Sequence, residues 1–186
     1  YLRPGGKSAI TGRDVNGYSM VLNTAIDRIQ EQPSTAGGAL EPDGICYRAY
    51  AEGRGWLPPA CNGGVAGTIE EERRLEALEI WSTRPGLSVC YQVHQEEIGW
   101  MPEVCNGEVT VIKDSGLRLE ALKIRLTSTA WGEWVRYAAH VQDKGWGDIA
   151  QEGKEAGTTG EGKRMEAFRV WVCDSTVKSR KHPCYW

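Results

Sequence analysis

Phenylalanine occurs once in 186 residues, and no apolar run approaches the roughly 18 residues needed for a membrane-spanning helix. Basic residues are not in excess: 22 Lys and Arg stand against 25 Asp and Glu, a net charge of −3, with both signs mixed along the chain. A dedicated DNA or RNA binder would carry a basic face, so nucleic acid is not the expected partner. Histidine is scarce, at three. No Gly-x-Ser-x-Gly, His-Glu-x-x-His or phosphate-cradling glycine loop occurs. Cys-x-x-Cys is absent too, so the cysteines do not have zinc-site spacing. Asp14-Val15-Asn16-Gly17 echoes the start of a calcium loop but lacks the distal glutamate. No metal, no cofactor and no enzyme are expected from these absences. No signal peptide stands at the start, as expected if one is removed ahead of Tyr1.

What is present in quantity is Trp (8), Tyr (7) and Gly (23). The favoured aromatics are those with a polar tip, suited to wet binding surfaces as well as to cores. The chain also writes one sentence three times. "YRAYAEGRGWLPPACNGG" begins at Tyr47, "YQVHQEEIGWMPEVCNGE" at Tyr91 and "YAAHVQDKGWGDIAQEGK" at Tyr137. Gly-Trp recurs at 55–56, 99–100 and 145–146. Arg-Leu-Glu-Ala recurs at 74–77 and 118–121, and as Arg-Met-Glu-Ala at 164–167. Repeats of this length are supersecondary units that bury their apolar faces only against neighbours. The copies run over about 44–83, 87–127 and 132–172, with a tail at 173–186.

Within a copy the pattern alternates as in a half-buried strand. Ile45, Tyr47, Ala49 and Ala51 face one way and Cys46, Arg48 and Tyr50 the other. Val89, Tyr91 and Val93 oppose Cys90, Gln92 and His94; Val135, Tyr137, Ala139 and Val141 oppose Arg136, Ala138 and His140. The first set in each case is the core face. A hairpin folded about Gly53-Arg54, Glu97-Ile98 or Asp143-Lys144 sets 46 opposite 61, 90 opposite 105 and 136 opposite 151. Six cysteines allow 15 pairings. Cys46 and Cys61 vanish together in the third copy, as Arg136 and Gln151, which pairs Cys46 with Cys61, Cys90 with Cys105 and, as the remainder, Cys173 with Cys184. Arg136 and Gln151 are expected to share a polar contact on the same rung. Three disulfides imply an oxidising compartment, so secretion is expected.

Asn62-Gly63, Asn106-Gly107 and Glu152-Gly153 mark a second turn. A brief third strand at 65–68 and a fourth at 74–81 complete a unit that reads as a four-stranded antiparallel sheet. Outside the repeats, 1–43 forms an extension. Its Val21, Leu22, Ala25, Ile26 and Ile29 share a helical face, predicting a short helix near 19–31, and 33–43 reads as a linker. Lys178 to Lys181 forms a small basic cluster in the tail.

Copies of about 45 residues carrying Tyr-x-x-His, Gly-Trp, Asn-Gly, Ala-Gly-Thr and Arg-Leu-Glu-Ala resemble the clostridial hydrophobic repeats with a conserved tryptophan. The third copy carries the pattern most fully, in "AGTTGEGKRMEAFRVWV". The second departs most, with Thr110-Val111-Ile112 in place of Ala-Gly-Thr, and the first has Tyr50 where the others have His94 and His140. The resemblance implies an extracellular binding protein, some relatives being lectin-like. An all-β fold of three sheets about a pseudo-threefold axis, a β-prism, is the expected architecture, with a β-trefoil as the alternative.

The candidate ligand contacts are Tyr50 with Glu52, His94 with Glu96 and His140 with Gln142, each pair two residues apart on an outward strand face. A ring to stack and a polar group to bond match a sugar. Trp56, Trp100 and Trp146 suit core or sheet-edge packing and, as ligand contacts, a stacking surface. Glu76, Glu120 and Glu166 are expected on a core-like face, held by Arg74 and its equivalents. The functional expectation is a secreted, multivalent, non-catalytic glycan binder; the alternative is an adhesion or structural repeat protein that binds another protein. Self-association is compatible with either.

Overall fold

The computed structural model describes residues 44–110, 116–129, 132–175 and 184. The helix expected near 19–31, the linker at 33–43 and the basic cluster at 178–181 lie outside the described residues. Among the described residues every regular element is a strand, and every strand pairing is antiparallel.

Each copy is built round a leading strand: Ile45–Ala51, Ser88–Gln95 and Glu133–Val141. One edge of that strand takes two short pieces. In the first copy these are Gly55–Trp56 and Ala60–Cys61, and their equivalents follow in the others. The other edge takes a closing strand: Leu75–Ser82, Leu119–Ser128 and Met165–Asp174. Cys46 faces Cys61, Cys90 faces Cys105 and Arg136 faces Gln151, the register that the hairpin arithmetic gives. The pairs nearest the turn pivot half a residue earlier, since Tyr50 faces Trp56 and Ala51 faces Gly55. The Leu57 amide still donates to Ala49 O at 2.9 Å, and Pro58 and Pro59, which have no amide to give, lie between the two short pieces. All three disulfides are present: Cys46–Cys61, Cys90–Cys105 and Cys173–Cys184.

The alternation expected for the leading strands holds. Ile45, Tyr47, Ala49 and Ala51, with Val89, Tyr91, Val93, Val135, Tyr137, Ala139 and Val141, are buried in one apolar cluster that draws on all three copies. The second turn also behaves as its Asn-Gly sequence demands. Asn62 and Asn106 sit at φ 48° and 50°, and their side-chain oxygens accept from the amides of Ile45 and Val89 at 3.1 and 3.0 Å. Glu152, at φ 40°, keeps the same bond to the Val135 amide at 2.7 Å.

Two expectations are corrected. The third strand does not complete its own sheet. Ala66–Gly67 of the first copy pairs with the third copy's closing strand, Ala66 facing Phe168 and Gly67 facing Ala167. Ala156–Gly157 of the third copy pairs with the second copy's closing strand. The second copy reaches the first: the Thr110 amide donates to Leu78 O at 3.2 Å, while the Thr110 hydroxyl lies 3.3 Å from both Leu78 N and Leu78 O. The turn glycines repeat the circuit, with Gly63, Gly107 and Gly153 amides donating to Val170, Ile80 and Ile124 carbonyls at 2.8, 2.8 and 2.7 Å. First to third, third to second and second to first, the contacts close a ring. Gly67 and Gly157 show why glycine is used there: a Cβ would stand 2.3 Å from Glu166 O and 2.4 Å from Glu120 O.

The second correction concerns Glu76, Glu120 and Glu166. The closing strands carry a β-bulge at this glutamate, since Tyr50 faces Ala77 while Ala51 faces Leu75, and the other two copies skip Glu120 and Glu166 alike. A bulge re-aims a side chain. These carboxylates therefore do not share the core face of Leu78 and Ile80, and Glu120 and Glu166 turn towards His94 and His140.

Candidate functional site

The bulge collects a cluster at the same end of each sheet. Glu76, Glu120 and Glu166 are 4, 5 and 6% exposed, and a buried carboxylate needs partners. The arginine two residues earlier supplies one. Arg74, Arg118 and Arg164 place Nε 2.9, 3.0 and 2.9 Å from the glutamate Oε1, with a second guanidinium nitrogen at similar distance. The same guanidinium binds the rim carboxylate of the first two copies, Arg74 to Glu52 at 2.7 Å and Arg118 to Glu96. In the third copy Gln142 stands there, and its amide keeps the backbone bond to Arg164 O at 3.0 Å.

Histidine completes the cluster in two copies. His94 Nδ1 lies 3.1 Å from Glu120 Oε2 and His140 Nδ1 3.2 Å from Glu166 Oε2, off the line of an aligned hydrogen bond. His94 and Glu96 are therefore linked through Glu120 and Arg118 in a row of polar contacts, rather than as the simple pair that their spacing suggested.

The tryptophans sit beside these contacts, each half-buried on a two-residue strand. Tyr50 meets Trp56 edge-on at 5.6 Å between centroids, and His94 and His140 meet Trp100 and Trp146 in the same way at 5.4 Å. A cation covers one face of every indole: Arg48 over Trp56 at 4.6 Å, Lys123 over Trp100 at 3.8 Å and Arg169 over Trp146 at 4.2 Å. Such contacts contribute about 0.5–2 kcal/mol each. A sugar stacking on that face would first have to displace the cation.

Of the candidate residues, Tyr50, His94 and His140 meet the edges of Trp56, Trp100 and Trp146, whereas Glu52 and Glu96 bind Arg74 and Arg118, and Gln142 is held by its backbone bond to Arg164. Sequence reasoning missed the cations. Lys123 and Arg169 directly follow the buried Leu122 and Phe168, so strand parity puts them on the outward face, but nothing local marked which strand supplies the charge in the first copy. Beside Lys123 lies an open depression of about 310 Å³, lined by Gln92, Glu103, Lys123, Ile124, Arg125 and Gly153. The Arg125 guanidinium, hydrogen-bonded to Glu103, holds that carboxyl below its ordinary range. Cys90, Glu103 and Cys105 come together closely enough for a metal, but both sulfurs are spent in a disulfide.

The model of the clostridial hydrophobic W family matches at 50–83, 94–128 and 140–174, more than half of the chain in all. The chain belongs to the clostridial hydrophobic W family. Each match opens on Tyr50, His94 or His140 and closes at the end of the closing strand or just beyond it, so the family's tandem unit contains the Trp-centred cluster of the second and third copies and all but Arg48 of the first. No curated protein and no solved structure matches the chain.

Proposed function

We propose that this clostridial hydrophobic W protein is a secreted, multivalent and non-catalytic carbohydrate-binding protein, a lectin, that meets glycans at the Trp-centred cluster of its repeats. The observation that carries the reading is the cluster's form. A half-buried indole, an imidazole or phenol at its edge, a cation on its face and a polar rim combine the apolar surface and hydrogen-bonding groups that a sugar ring needs. Repetition on one rigid frame favours binding over catalysis, because linked weak sites gain avidity without new contacts. Three disulfides favour an oxidising, extracellular setting. The ring of exchanged edges favours three sheets about a threefold axis, as in a β-prism, over a trefoil.

A glycan array probed with the oxidised protein tests the function. Binding to defined glycans, weakened stepwise by His94→Ala and then His140→Ala, is the expected result; an array left blank by protein with intact disulfides discards the lectin reading. A second reading, adhesion to another protein, has one observation in its favour: Val65, Ile69, Ile98 and Val109 are exposed apolar side chains. It predicts a blank array together with capture of a protein partner that polar substitution of Val65 and Val109 abolishes.

A further inference from the structure

Glu79, Lys123 and Arg169 occupy one register position, opposite Arg48, Gln92 and Ala138. Two of the three are cations and one is an anion, yet every Trp has a cation over its face. In the first copy that cation comes from the leading strand, as Arg48, and Glu79 binds it in a salt bridge. The charge of this site is cancelled within the chain. In the second and third copies the cation comes from the closing strand and faces a neutral residue. Among the described residues no carboxylate pairs with Lys123 or Arg169. Arg169 lies between two indoles, Trp146 at 4.2 Å and Trp171 at 5.0 Å, and its Nε is buried without a hydrogen-bond partner. Lys123 opens on the depression described above, whose own carboxylate, Glu103, is held by Arg125 at 2.8 Å. The same two copies are the ones with histidine, not tyrosine, at the Trp edge.

We propose that the clusters of the second and third copies each bind the anionic group of an acidic sugar, at Lys123 on Trp100 and at Arg169 on Trp146, and that the first copy is closed by Glu79, which holds its cation as the ligand's anion holds the others. The proposal rests on the glycan-binding reading and narrows it: the ligand carries a carboxylate, sulfate or phosphate, and the valence is two rather than three. A cation desolvated against an indole and lacking a counter-charge gains most from a charged acceptor.

Calorimetric titration of the oxidised protein tests it, with oligoglucuronate against its carboxyl-reduced form and a sulfated galactan against its desulfated form. These two arms separate carboxylate from sulfate recognition. Two sites per chain for an acidic form and none for its neutral counterpart are expected, weakening as salt rises. Lys123→Gln or Arg169→Gln should each cost on the order of tenfold in affinity, while Lys123→Arg and Arg169→Lys retain binding and show that folding is intact. Glu79→Ala should raise the stoichiometry to three. Neutral and acidic forms bound alike would overturn the proposal and leave the lectin reading standing, as would Lys123→Gln and Arg169→Gln both leaving the affinity for the acidic form unchanged. No binding of either form would overturn both.

Discussion

Tyr47, Tyr91 and Tyr137 are buried to the ring, and each turns its hydroxyl to a carbonyl just past the second turn, Gly64, Glu108 or Lys154. Burial pushes the hydroxyls of Tyr47 and Tyr137 up to about 12, and that of Tyr91 further still. The unfolded chain ionises its tyrosines near pH 10, so the native state holds protons there that the unfolded state has lost. Stability from these groups is complete below pH 10 and falls as pH rises towards 12. Denaturant unfolding at steps between pH 9 and 12 should show that fall, and Tyr137→Phe should flatten it by about 2 kcal/mol at the alkaline end, after a loss of about 1 kcal/mol at neutral pH for the orphaned carbonyl. The buried glutamates depend instead on the arginines that pair with them. Arg164→Ala leaves Glu166 buried with His140 as its remaining partner among the described residues, and should cost about 3 kcal/mol in urea unfolding at neutral pH. At this scale the sequence was informative where burial follows alternation, as for the three tyrosines. It misplaced the face of Glu76, because one bulged residue reverses every inference from parity.

Strands of two residues would not hold by themselves; here they are held by where they dock. Ala156–Gly157 lies so close to the second copy's closing strand that any Cβ at 157, with φ 110°, meets Glu120 O. Gly157→Ala should therefore lower stability by about 3 kcal/mol, combining strain and displacement of a backbone contact. Gly153→Ala, at φ 76° with open space around the added carbon, should cost only about 1 kcal/mol. Equal losses in denaturant melts would show that docking there is loose. The hairpin carrying the disulfides was legible because its partners are near in sequence and the turn fixes their register. The docking of the third strand was not, because its partner lies in another copy and no local spacing names it. The second copy's Thr110-Val111-Ile112 reads as a lapse in the motif until Thr110 is seen reaching Leu78 with both its amide and its hydroxyl. The candidate site divides in the same way: the outward residues were found from strand parity, whereas the cation on each indole depends on which of two neighbouring strands carries it.

For the molecule as a whole, one apolar cluster drawn from all three copies means that no copy owns a complete interior. Removing residues 132–186 would expose the apolar face that Val135, Tyr137, Phe168 and Val170 cover, and would leave Ala66–Gly67 without Phe168 and Ala167 to pair with. The two-copy chain is expected to be unfolded or to self-associate through its free edges, as read by sedimentation and by the loss of a cooperative melt. A monomer melting as sharply as the intact chain would show that the copies stand alone.

Because the final copy grips the opening one through the same kind of junction that joins its neighbours, the order in which the copies are written carries no structural meaning. A gene rearranged to begin at the second copy and end with the first, with a flexible tether across the old termini, would encode a circular permutant that keeps every junction of the original.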